Sequence, residues 1–171
     1  MHAPDARTLR IDARPAAGDP LGENLRAAAP LGFLGIELAT RRRNRMNGTV
    51  THIDDNGFVV SVDQSFGNCP QYIQSRSTAW CGKAADFTSR AEERVSSDLD
   101  ATALRIVRSA DTLFLASASA GARAPGGADG VDVSHRGGKR GFVRVRRDPS
   151  SGRSVLVLPD FRGNFLFNTL G

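Results

Sequence analysis

The stretch Thr49-Val50-Thr51-His52-Ile53-Asp54-Asp55-Asn56-Gly57-Phe58-Val59-Val60-Ser61-Val62 decides the fold class. Two runs rich in β-branched and aromatic residues flank Asp-Asp-Asn-Gly, and Asn-Gly accepts the positive φ that a tight hairpin turn demands. The reading is a β-hairpin with strands over Thr49–Ile53 and Phe58–Val62. Eighteen glycines and eight prolines among 171 residues agree with a chain of many turns and a β-rich architecture.

Working toward the N-terminus, Asn47-Gly48 is a second turn signal, and Leu31–Ala39 reads as a mostly buried strand running into the basic stretch Arg41-Arg42-Arg43-Asn44-Arg45. Pro15–Pro20 is loop, and Thr8–Asp12 alternates apolar and polar as a short strand does. Toward the C-terminus, Gln64–Trp80 is irregular. Ser97 reads as a helix N-cap with Asp98 and Asp100 in the first turn, and Ala103, Leu104, Ile106 and Val107 supply an apolar face that ends near Ser109. Thr112–Ala116, Val131–Ser134, Phe142–Val145 and Ser154–Leu158 are strands, Gly121–Gly130 is a small-residue loop, and Asn164–Leu170 starts a helix. Arg7–Ile11 and Arg153–Val157 resemble each other in pattern, 146 residues apart, a faint internal repeat.

The formal net charge of +5 draws anions such as nucleic acid, anionic lipid or a phosphorylated small molecule. Most of the basic residues are arginine, whose planar fork suits phosphate. No apolar run reaches the roughly 18–20 residues that span a bilayer, and no signal peptide is visible at Met1–Asp5. Cys69 and Cys81, with only His2, His52 and His135 as further soft ligands, read as reduced thiols of a cytoplasmic protein rather than a disulfide framework or metal site. No HExxH, P-loop or GxGxxG occurs. Ser134 and His135 are strand neighbours that point apart, so they form no triad, and Cys69 reads as an inert buried thiol rather than a nucleophile.

Three segments carry chemistry. In Val131–Phe142, Ser134-His135-Arg136-Gly137-Gly138 and Lys139-Arg140 bring several donors to a backbone that a phosphate or planar heterocycle can approach closely; an ordinary glycine hairpin with solvated charges fits the same residues. In Leu158–Asn164, a strand ends in Pro159-Asp160-Phe161-Arg162-Gly163-Asn164, where free N–H groups and Arg162 suit a phosphate; a plain strand-to-helix link capped by Asn164 is the alternative. In Arg41–Arg45, four arginines in five residues suggest an anion site or nucleic-acid patch, but alternate strand residues face opposite sides, so not all reach one ligand.

In order along the chain, His135-Arg136-Gly137-Gly138, Gly141–Val145, Leu158–Asn164 and Asn168-Thr169-Leu170-Gly171 resemble the flavin-nucleotide-binding branch of the pyridoxamine 5'-phosphate oxidase-like proteins. Thr40–Gly48 and Gln64–Gln74 are also similar to segments of that branch. The resemblance implies a mainly β fold, an antiparallel split β-barrel of the FMN-binding type with one or two short helices. It divides the chain into residues 1–80, the later part of a first barrel unit plus an irregular loop; residues 81–111, a linker and helix; and residues 112–171, the early strands of a second unit. It departs from the family where Lys139-Arg140 replaces a proline common there, and where the chain stops at Gly171, leaving the second unit incomplete.

The resemblance implies FMN as cofactor, a homodimer, and a nicotinamide or reductase electron donor. It assigns cofactor binding to His135, Arg136, Gly137, Gly138, Asp160, Arg162, Gly163, Asn164 and Thr169, with Arg136, Arg162 and Asn164 on the phosphate. The functional expectation is a flavin-binding oxidoreductase whose substrate is open; the alternatives are a non-catalytic flavin module serving a fused or partner reductase, and a basic nucleic-acid binder. An aromatic content of 6% weakens the last, because single strands bind through stacking.

Overall fold

The computed structural model describes residues 1–67, 69–79, 98–122 and 130–162. Among these the chain is mainly β, with nine strands and two short helices. The strands are β1 (His2–Asp5), β2 (Thr8–Ile11), β3 (Pro30–Glu37), β4 (Arg42–Asp54), β5 (Gly57–Gly67), β6 (Thr112–Ala118), β7 (Val131–Gly137), β8 (Arg144–Arg147) and β9 (Ser154–Val157). The helices are α1 (Pro20–Asn24) and α2 (Ala101–Ser109).

The hairpin read from Thr49–Val62 is the centre of an open antiparallel sheet of order β1-β2-β5-β4-β3. At its turn the Asn56 N–H donates to Asp54 Oδ1 at 2.8 Å, and Gly57 takes φ +154° against the Ile11 carbonyl, where a Cβ would collide. Arg10 on β2 grips Asp54 with two hydrogen bonds of 2.6 and 2.9 Å, and that grip holds the Asp54 carboxyl well below the usual carboxylate range. Val50, Phe58 and Val60 of this sheet are buried, as are Ala29, Ile73 and Val143, and each large apolar side chain so buried stabilises by about 1.5–3 kcal/mol.

Two smaller antiparallel sheets complete the described structure, β6-β7 and β8-β9. β7 packs across β3 and β4. The approach is close at Gly32, where a Cβ would stand in ordinary contact with the Asp132 backbone of β7 and the Asn47 side chain. Asp98 ties down the β8-β9 hairpin by accepting from Arg147 Nη1 at 2.6 Å and from the Ser154 N–H at 3.0 Å, and α2 packs on β8. The sheets do not close into a barrel among the described residues.

Several boundaries differ from the sequence reading, each for a local reason. Asn47-Gly48 is not a turn. β4 runs through it, and the register against β5 shifts there, a bulge that needs glycine because a Cβ at position 48 would collide with the Ser61 carbonyl. The chain reverses instead at Leu38–Arg41, where Arg41 adopts φ 59°, so the basic run opens β4 rather than ending β3. β5 extends through Gly67 into the segment read as irregular. The α2 cap is Asp100, whose carboxylate accepts from the Ala103 N–H at 2.7 Å; Ser97 lies outside the described residues, and Asp98 serves the hairpin rather than the helix. Ile106 is 57% exposed, leaving Ala103, Leu104 and Val107 as the inner face of α2. The sequence reading missed β1 and α1. The Asn164–Leu170 helix lies outside the described residues.

Candidate functional site

β7 carries the first candidate segment, and its alternation divides the residues between two environments. Asp132 and Ser134 share one side and meet Arg45 of β4. Arg45 donates to both carboxylate oxygens of Asp132 at 3.0 Å and to Ser134 Oγ at 2.8 Å, while Ser134 Oγ donates to Asp132 Oδ2 at 2.9 Å. Arg45 is 1% exposed and Asp132 5%, so this is an interior ion pair bridging the main sheet to β7. Burial lowers the Arg45 pKa while Asp132 pushes it back up.

His135 turns to the other environment. It stacks edge-on to Phe114 of β6, with centroids 5.7 Å apart, and its Nδ1 and carbonyl each lie 3.4 Å from Arg43 Nη1. Its Nε2 is buried with no hydrogen-bond partner among the described residues. Burial, reinforced by the Arg43 and Arg136 cations, pushes its pKa down to about 4, so the ring is neutral at neutral pH. Ser134 and His135 thus point apart, as strand geometry dictates.

Beyond β7 the backbone builds a cleft. Gly137 is crossed by Tyr72, whose carbonyl occupies the space a Cβ would need. Gly138 receives the Phe142 ring in the same way. The loop is pinned at both ends, by the Gly138 N–H to the Asp111 carbonyl at 3.0 Å and the Gly141 N–H to the Ala110 carbonyl at 2.9 Å, and Gly141 supplies φ 75°. Residues 70–76 cross over as a strap. Gln74 Nε2 donates to the Gly138 carbonyl at 2.9 Å, the Tyr72 hydroxyl donates to the Arg162 carbonyl at 2.6 Å, and the Tyr72 ring lies 5.1 Å from the Phe161 ring. Arg76 anchors the strap's far end on Asp111 at 2.5 and 2.6 Å.

Between the 138–142 loop, β8 and the 157–161 segment lies a cleft of about 720 Å³. Four cations line it, Lys139, Arg140, Arg144 and Arg146, together with the aromatic side chains of Tyr72, Phe142 and Phe161 and the apolar Val157 and Pro159. No carboxylate lines it among the described residues. Arg144 and Arg146 alternate on β8 and so project to one side. Such a wall attracts anions electrostatically and offers flat apolar faces to a ring.

The two glycine-bearing segments singled out by sequence therefore meet, across Tyr72. Gly138 lines the cleft, and Asp160 is exposed between two lining residues, Pro159 and Phe161. Arg162 is exposed and touches Tyr72 through its carbonyl. Gly137 underlies the strap. His135 is buried outside the cleft, and Arg136, paired across from Leu113 on β6, does not line it. Gly163, Asn164 and Thr169 lie outside the described residues. Sequence reasoning did not single out Arg144 and Arg146; the pattern Arg-Val-Arg on a strand was the available signal. Cys69, read as buried, is exposed. No cluster of metal-ligating side chains occurs among the described residues, nor does any helix there have the length and apolarity to cross a membrane. The chain matches no protein-family model, no curated protein and no solved structure.

Proposed function

We propose that the protein binds a phosphorylated planar ring compound in this cleft, and that the compound is FMN, in keeping with the resemblance to the pyridoxamine 5'-phosphate oxidase-like split-barrel family. The observation that carries the reading is the coincidence of four cations and three aromatic rings in one cleft without a carboxylate. A phosphate dianion suits Lys139, Arg140, Arg144 and Arg146 through charge-assisted hydrogen bonds. An isoalloxazine ring suits the Tyr72, Phe142 and Phe161 faces and the Gln74 amide. When bound, FMN supplies electron transfer in one- or two-electron steps; this chain's residues hold it, orient it and exclude water from one face. Asp160, Arg162, Gly163, Asn164 and Thr169 stay assigned to the cofactor by resemblance, as do His135, Arg136 and Gly137, although these last three do not line the cleft.

The family's split barrel and homodimer belong to the same proposal. The open edges of the described sheets are compatible with completion by a further strand or a second copy. With FMN bound, the first reading is an oxidoreductase drawing electrons from a nicotinamide or a reductase; a flavin module without its own turnover is the second. Purified protein that is yellow, with a flavin spectrum and a one-to-one flavin content after denaturation, supports the proposal. Colourless protein that takes up no added FMN refutes it. NADPH oxidation by the yellow protein separates enzyme from module.

A further inference from the structure

The basic run Arg41–Arg45 is left over from the site above, and the structure divides it. Arg45 is spent on Asp132 and Ser134 inside the protein. Arg41, Arg42 and Arg43 instead line a separate cleft of about 700 Å³ at the end of the β3-β4 hairpin, whose opposite wall is Gly67 and Pro70. We propose that this cleft is a second binding site, for the phosphoryl group of a small soluble ligand, held by the exposed Arg41 and Arg42, with the half-buried Arg43 behind them.

Three observations lead there. Arg43 is half-buried, yet its polar contacts among the described residues are the neutral His135 ring and the His135 carbonyl, with no carboxylate. Its Nε is buried without a partner. Burial and the neighbouring Arg45 lower the Arg43 pKa, with Cys69 opposing, and a bound anion relieves the cost of that desolvated cation. Arg41 takes a left-handed backbone at the hairpin turn, and Arg41 and Arg42, both exposed, line the cleft with Arg43. The acidic residue on the wall is Glu37, and its carboxylate is engaged by the Thr40 hydroxyl. The cleft is concave and short, and Arg45 has turned inward. That favours one compact phosphoryl group over a nucleic-acid backbone, which needs a row of outward cations.

The test uses inorganic pyrophosphate at constant ionic strength, followed by calorimetry. The protein carrying Arg144→Gln and Arg146→Gln removes two of the four cations of the first cleft, so the share of the remaining binding that the hairpin substitutions remove belongs to the hairpin. Adding Arg41→Gln and Arg42→Gln, both exposed positions, is expected to weaken that binding at least tenfold, with an unchanged melting temperature showing that the fold is kept. Two results overturn the inference: no pyrophosphate binding by the first variant, or equal binding by both. A third is retention of a single-stranded oligonucleotide that Arg41 and Arg42 control while pyrophosphate has no effect.

Discussion

Replacing Asp132 by Asn tests how β7 is held on the main sheet. The amide keeps the volume of the carboxylate and removes its charge. Arg45, 1% exposed, then remains as an interior cation with Ser134 Oγ at 2.8 Å and a neutral carbonyl where two charged contacts of 3.0 Å had been. Removing one partner of a buried pair costs about 3–5 kcal/mol, chiefly because the other charge is stranded. For a domain stable by about 5–15 kcal/mol that is a large share. Arg45→Met strands Asp132 instead and carries a similar cost. The triple variant Arg45→Met, Asp132→Leu, Ser134→Ala removes these three partners together. Its expected stability lies within about 1–2 kcal/mol of the parent, since apolar replacement of a whole buried pair is often neutral or better. Urea unfolding of the four proteins measures this, with unchanged m-values showing that the unfolded states are comparable. A cost below about 1 kcal/mol for Asp132→Asn, or a triple variant as poor as the sum of its parts, refutes the idea that the pair is one desolvated unit.

Further predictions concern neighbouring elements. His135 is neutral in the fold with its pKa near 4, against the ordinary 6.5. Below pH 6.5 the unfolded chain therefore binds a proton that the folded one does not, so stability falls as pH drops from about 6.5 to 4, by about 2–3 kcal/mol. His135→Phe is expected to flatten this part of the profile in urea midpoints taken at each pH, and an unchanged slope contradicts the assignment. Gly137→Ala drives a Cβ into the Tyr72 carbonyl; it is expected to cost about 2 kcal/mol or more and to raise proteolysis near residue 72, whereas a neutral result means that the strap does not cross there. Asp98→Ala frees β8-β9 from its anchor, and faster amide exchange confined to residues 144–157 is the expected signature.

How legible was all this in the sequence? The β4-β5 hairpin was, because two runs of β-branched and aromatic residues flank a polar turn closed by Gly57, whose φ of +154° few side chains accept. Gly48 was misread because a glycine that permits a bulge looks in one dimension like a glycine that permits a turn; only the Ser61 carbonyl beside it distinguishes them. Asp98 passed for a helix residue because its partners, Arg147 and Ser154, lie some fifty residues away. The turns at 135–138 and 160–164 were expected to share one ligand; Gly138, Pro159 and Phe161 do line one cleft, while Arg136 does not, and the Tyr72 strap between them is a long-range contact with no local pattern. Arg136 looked like a ligand because it stands beside two glycines. Strand alternation sends it elsewhere, and Arg144 and Arg146 line the cleft instead, their alternation along one strand being the only local sign of it.

The most direct test of the central claim is a pair of titrations, FMN and riboflavin, followed by quenching of flavin fluorescence, on the parent and on Arg144→Gln/Arg146→Gln. Charge-assisted bonds to a phosphate are worth about 1.5–3 kcal/mol each, so the parent is expected to prefer FMN over riboflavin by at least roughly tenfold. The double variant is expected to lose that preference while its riboflavin Kd stays the same. Equal affinity of the parent for both compounds, or an FMN preference untouched by the two substitutions, contradicts a phosphate held in this cleft.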